Sequence, residues 1–196
     1  MDDEYLVFTG RPNAGKSSLI KAITGIKVAI GKEPGTTQKI EIYPLAKNLS
    51  LVDMPGYGRI LHAGKNTEEN TKDMILNFLK NNSKRIVLAI HTINTSTYLE
   101  AESRLAKKGF TSLDVELVHY IKRDLGITCI VAANKIDKDR ASIIQDNLES
   151  LKEGLGPTIQ VYPVSARTGD GIGALKDDVR RRLVDKGYKN PFELVK

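Results

Sequence analysis

Near-continuous apolar runs, broken by glycine-rich turns, alternate with amphipathic stretches along this chain. Runs such as Tyr5-Leu6-Val7-Phe8 and Ile130-Val131-Ala132-Ala133 predict strands near 5–9, 39–44, 49–53, 85–91, 127–133 and 159–164. Helical periodicity occupies 16–24, 67–81, 112–125, 139–153 and 171–186. Strands separated by helices predict an α/β fold: a mostly parallel six-stranded sheet with helices on both faces, in three layers. Ligand loops of such sheets collect at the carboxyl ends of the strands. The polar motifs of this sequence fall there. No repeat or low-complexity tract interrupts the pattern, so residues 1–196 read as one domain, without an appended second one.

The first motif is Gly10-Arg11-Pro12-Asn13-Ala14-Gly15-Lys16-Ser17, followed by Ser18. It matches G-x-x-x-x-G-K-[ST] between a predicted strand and a predicted helix. Glycines let the backbone wrap a phosphate, and the N–H groups then form an anion nest at the helix N-terminus. Lys16 is placed to reach the β- and γ-phosphates, and the Ser17 hydroxyl to take a Mg²⁺ position. The motif specifies a nucleoside triphosphate without specifying the base.

The base is chosen by Asn134-Lys135-Ile136-Asp137, the N-K-x-D pattern of GTP-binding proteins. The Asp137 carboxylate accepts from the ring N–H and exocyclic amine of guanine. Adenine offers no such donor pair and would leave the carboxylate unpaired. The Lys135 stem can cover one face of the base, and the Asn134 amide can tie this loop to the phosphate loop. Ser165-Ala166-Arg167 is weaker by itself; its backbone N–H groups are candidates to meet the guanine oxygen.

Two further segments have the chemistry to sense a γ-phosphate. Asp53 ends a predicted strand and would hold Mg²⁺ through water, while Pro55-Gly56 would bring the Gly56 N–H to the γ-phosphate. Pro34-Gly35-Thr36-Thr37 lies between the two phosphate elements, and one threonine should complete the Mg²⁺ shell. Pro34-Gly35 also suits a type II turn.

These elements stand in the order of a Ras-like P-loop GTPase of the translation-factor class. Gly10-Arg11-x-Asn13-x-Gly15-Lys16-Ser17-Ser18-Leu19-Ile20, Pro34-Gly35-x-Thr37-Gln38 and Leu51-Val52-Asp53-x-Pro55-Gly56-Tyr57-Gly58 resemble the EngB family more closely. That resemblance implies a small GTPase of large-ribosomal-subunit assembly, with GTP/GDP and Mg²⁺ bound and Thr37 as the switch threonine. Departures are Asn134 where bacterial members begin the base motif with Thr, Glu41 for an Asn, His91 for an Asp, and a longer stretch from Thr95 to Asp114. They point to a divergent relative, such as an archaeal one. Tyr57 occupies the position where many Ras-like GTPases carry a water-orienting Gln. No catalytic residue for hydrolysis is identified, so turnover is expected to be slow. Lys16 and Asn13 remain as charge stabilisers, and Asn13 sits where potassium-activated relatives hold K⁺.

Composition bounds the rest. Apolar content of 40% and charged content of 28% fit a soluble globular protein. No apolar run approaches the roughly 20 residues of a membrane span, and Met1-Asp2-Asp3-Glu4 is unlike a signal peptide. The single cysteine, Cys129, reads as a buried small apolar residue. A cytoplasmic location is expected, with no membrane and no DNA as partner. The net charge of +6 favours a polyanion. Ribosomal RNA is the expected one, contacted through Arg59, Lys65 and Arg180-Arg181-Arg182, although the arginine run equally suits a solvated helix face. The alternative functions are a regulatory GTPase module of a membrane transport complex, and an ATP-dependent kinase, against which Asp137 argues.

Overall fold

The computed structural model describes residues 3–28, 39–57, 65–107, 109 and 112–195, with backbone alone for 65–68. Strands are β1 (Glu4–Gly10), β2 (Glu41–Ala46), β3 (Leu49–Asp53), β4 (Ile86–Asn94), β5 (Cys129–Asn134) and β6 (Gln160–Pro163). They form one six-stranded sheet in the order β2-β3-β1-β4-β5-β6. All neighbours are parallel except β2, which runs antiparallel to β3 at the edge. Helices are α1 (Lys16–Thr24), α2 (Lys65–Asn81), α3 (Tyr98–Ala106), α4 (Leu113–His119), α5 (Ala141–Leu155) and α6 (Ile172–Asp185).

Alternation along β1 divides the core in two. Tyr5 and Val7 face a cluster with Leu79 of α2, Val118 of α4 and Leu151 of α5. Leu6 and Phe8 face the opposite cluster, with Leu19 and Ile23 of α1 and Val179 and Leu183 of α6. Burial on both faces is why the central strands carry unbroken apolar runs. Cys129 lies buried in β5, as its apolar surroundings imply.

Three features depart from the sequence expectation. The expected helix over 112–125 is a regular helix only to His119, then widens over Tyr120–Asp124, where the Leu125 N–H donates to the Tyr120 carbonyl. β4 runs to Asn94, beyond the expected end at 91. The stretch after it holds a short 3-10 turn, Thr95–Thr97, and then α3, for which no helix was expected.

Candidate functional site

Phe8 and Thr9 deliver the chain out of the sheet into the phosphate loop, and α1 begins at Lys16. Gly15 stands at the helix start with φ +97°, and a Cβ there would sit 2.3 Å from Asn134 Nδ2. Only glycine meets both demands. Lys16 is buried, with Nζ donating to the Gly10 carbonyl at 3.2 Å and the Arg11 carbonyl at 3.3 Å. Burial lowers its ammonium from the usual value, with Asp53 and then Asp114 pulling it back.

Asp53 ends β3 directly below α1. The Ser17 hydroxyl approaches Asp53 Oδ2 at 3.5 Å, so the two expected metal-shell residues of the described chain lie together. Asp53 is 1% exposed, and its Oδ1 is buried with no hydrogen-bond partner among the described residues. Burial pushes its carboxyl up to about 6, against the pull of Lys16. A buried, partly orphaned carboxylate beside a hydroxyl has the oxygen-donor chemistry of a hard-cation site. Pro55 is buried, and Gly56 rests on the phosphate loop: a Cβ on it would meet Pro12 N at 2.6 Å.

The base-side motifs converge on the same end of the sheet. Asn134 donates from Nδ2 to the Ala14 carbonyl at 2.9 Å and accepts at Oδ1 from the Ala166 N–H at 3.0 Å. One amide therefore ties three loops together, and the Ala166 N–H expected to face a guanine oxygen is already given to Asn134. Lys135 adopts φ +69°, and its Nζ donates to the Asn13 carbonyl, laying its stem from the base loop across to the phosphate loop. Asp137 accepts from the Ser165 hydroxyl at 2.5 Å and from Arg167 Nε at 2.7 Å. The Ser165 hydroxyl first, and Arg167 with it, hold the Asp137 carboxyl below its ordinary range. The Asp137–Arg167 pair has no sequence signal, because the expectation for Arg167 concerned its backbone.

Other expected residues are distributed less simply. Ser18 follows Ser17 inside α1. Pro34, Gly35, Thr36, Thr37 and Arg59 lie outside the described residues, as does the Lys65 side chain. Tyr57 points into the core, where its hydroxyl donates to the Leu113 carbonyl at 2.6 Å. On α6, Arg181 pairs with Asp178, and Arg182 Nε meets the same carboxylate at 2.6 Å. The arginine run is thus partly neutralised within its own helix, whereas Arg180 is exposed. No helix among the described residues is long and apolar enough to cross a membrane.

Known proteins resemble this chain in sequence and in fold. The family model described as 50S ribosome-binding GTPase matches residues 5–135. A probable GTP-binding protein EngB of Methanopyrus kandleri is 35% identical over 192 residues, covering 93% of this chain and 94% of that protein. Its counterpart of the same name in Pyrococcus horikoshii is 38% identical over 177 residues, covering 89% and 81%. A crystal structure of a probable GTP-binding protein engB superposes with a TM-score of 0.80 at 34% identity, covering 92% of this chain and 99% of that one.

Proposed function

Because this chain belongs to the EngB family of GTP-binding proteins, and is a GTPase of that type, we propose that it is a Mg²⁺-dependent switch acting in assembly of the large ribosomal subunit. The observation that carries this reading is the match of residues 5–135 to the 50S ribosome-binding GTPase family. The chain acts as one GTP-binding domain over residues 1–196, in the cytoplasm.

The phosphates lie in the loop from Gly10 to Ser18, with Lys16 turning from the Gly10 and Arg11 carbonyls to the β- and γ-phosphates. Mg²⁺ would be held by Ser17, by Thr37 and, through water, by Asp53; the orphaned Asp53 Oδ1 supports this set. Bound there, the ion neutralises charge on the phosphate oxygens. Thr37 belongs to the switch Pro34-Gly35-Thr36-Thr37, and Pro55-Gly56 forms the other sensor of the γ-phosphate. Guanine is read by Asp137, covered by Lys135 and bounded by Ser165-Ala166-Arg167, with Asn134 bracing the whole. Arg167, whose side chain is exposed, would swing off Asp137 to admit the base.

Hydrolysis is slow. The buried Tyr57 hydroxyl, committed to the Leu113 carbonyl, is unsuited to orienting an attacking water. Asn13, at the solvent-facing side of the phosphate loop, would hold K⁺, which then adds to Lys16 in stabilising charge. The ribosomal contact is to RNA phosphates, in keeping with the net charge of +6. The relatives' common EngB name favours this reading over a module of a transport complex.

Sedimentation with purified large subunits tests the proposal. Association should appear with a non-hydrolysable GTP analogue, weaken with GDP and fall steeply with salt. Absence of nucleotide-dependent, salt-sensitive association at moderate ionic strength would contradict it.

A further inference from the structure

Beside the nucleotide site lies a set of polar side chains that the binding of phosphates, Mg²⁺ and guanine does not use. Its centre is Asp114, buried in the first turn of α4. Asp114 Oδ2 meets Arg11 Nε of the phosphate loop at 2.7 Å. Asp114 Oδ1 lies 3.0 Å from Nε2 of the fully buried His91 on β4, and accepts from the Tyr57 hydroxyl at 3.5 Å. His91 Nδ1 in turn lies 2.8 Å from the Thr9 hydroxyl, so both ring nitrogens face polar partners. Arg11 also reaches Glu102 of α3 at 3.5 Å.

The two residues that this turn of α4 holds, Arg11 at Asp114 and Tyr57 at the Leu113 carbonyl, have particular neighbours. Arg11 precedes Pro12, and Tyr57 follows Gly56. Pro12 and Gly56 are in contact so close that no Cβ fits between them. The first turn of α4 therefore grips both sides of the place where the phosphate loop meets the glycine that would sense the γ-phosphate, Arg11 at the Asp114 carboxylate and Tyr57 chiefly at the neighbouring Leu113 carbonyl, 2.6 Å from its hydroxyl. Arg11 and Asp114 form a buried ion pair by distance, and an ion pair shielded from water fixes positions more firmly than a solvated one does.

We propose that Asp114 is a positioning residue for γ-phosphate sensing: by holding Arg11 to the turn of α4 whose Leu113 carbonyl holds Tyr57, it sets the spacing between the phosphate loop and the Gly56 N–H. This rests on the nucleotide reading above and adds to it a role for the stretch between Thr95 and Asp114. The carboxylate comes from the far end of that stretch, beside His91 on β4. GDP makes no demand on the Gly56 N–H, so disturbing Asp114 must affect the triphosphate selectively. By the same coupling, GTP binding must steady α3 and α4.

The test compares affinities for GDP and for a non-hydrolysable GTP analogue, with Mg²⁺ present, together with melting curves. In Asp114→Asn the amide oxygen still accepts from His91 and Tyr57, but its NH₂ confronts the Arg11 donors. The analogue should bind about tenfold more weakly, and GDP by less than about twofold. Arg11→Met should act in the same direction, and the double variant should be no worse than the weaker single variant, because both break one contact. Tyr57→Phe keeps the buried ring and removes only the hydroxyl. Its analogue-selective loss of about threefold carries the test should Asp114→Asn fold poorly. Equal losses for both nucleotides, no loss in folded variants, or simply additive losses for Arg11→Met and Asp114→Asn would overturn the proposal. Failure of the unaltered protein to prefer guanine nucleotides would instead overturn the functional reading, and this proposal with it.

Discussion

The Asn134 side chain donates to the Ala14 carbonyl at 2.9 Å across 120 residues of sequence, joining the loop that reads the base to the loop that wraps the phosphates. The same amide accepts from Ala166, and Asn134 is 2% exposed. Asn134→Ala strands one buried acceptor, the Ala14 carbonyl, and one half-buried donor, the Ala166 N–H. We expect a loss of about 3 kcal/mol in stability by chemical denaturation and a parallel fall in GDP affinity by fluorescence titration. Unchanged stability would mean that water replaces both contacts at no cost.

The first switch should respond to one threonine only. Thr37→Ala should weaken the protection of residues 28–38 from protease that the GTP analogue confers, while barely changing GDP affinity, because a switch threonine acts only when γ-phosphate and metal are present. Thr36→Ala should leave that protection intact. The reverse pattern would shift the switch assignment by one residue.

Asp53 predicts a pH dependence. Its folded-state carboxyl, raised to about 6 from 3.8, ionises at a cost that the unfolded chain does not bear. The penalty is absent below about pH 4, grows as pH rises through 6 and is complete near neutrality. Without Mg²⁺ or nucleotide, Asp53→Asn should therefore be more stable than the unaltered protein at pH 7, by at most about 3 kcal/mol, a figure already net of the Lys16 attraction. The difference should vanish near pH 4. A gain that persists at pH 4 would point to packing rather than charge.

On α6 the arginines are not equivalent. Arg181 and Arg182 are engaged by Asp178, and Arg182 also donates to Gln160 at 2.8 Å, whereas Arg180 is exposed. Arg180→Ala should weaken large-subunit association and flatten its salt dependence by close to one phosphate contact. Arg181→Ala should affect association less than Arg180→Ala does. Equal effects in a sedimentation series would show that Asp178 releases its partners on the ribosome.

The sheet was legible because its strands are buried on two faces, which writes them as apolar runs such as Ile130-Val131-Ala132-Ala133. The phosphate and base motifs were legible because their chemistry sits in short contiguous stretches. α3 was not legible: its apolar stripe of Tyr98, Ala101 and Leu105 is short, only Tyr98 of it is buried, and Leu99 interrupts the pattern at 40% exposed. Nor was the Asp114 cluster. Thr9 and Arg11 are near neighbours in sequence, but Tyr57, His91 and Asp114 come from three other segments, and nothing in the sequence ties Asp114 to Arg11. His91 was the single hint, a departure from the family pattern whose partner only the fold supplies.

The central claim joins a base-reading carboxylate to a ribosomal switch, and one substitution tests both. Asp137→Asn exchanges an acceptor for an amide suited to xanthine, whose carbonyl replaces the guanine amine. Large-subunit association should be measured by sedimentation for the unaltered protein and for Asp137→Asn, each with non-hydrolysable GTP and xanthosine triphosphate analogues. The account predicts that the unaltered protein associates with the guanine analogue and the variant with the xanthine analogue. Association of both proteins irrespective of the base, or of neither with any nucleotide, would contradict it.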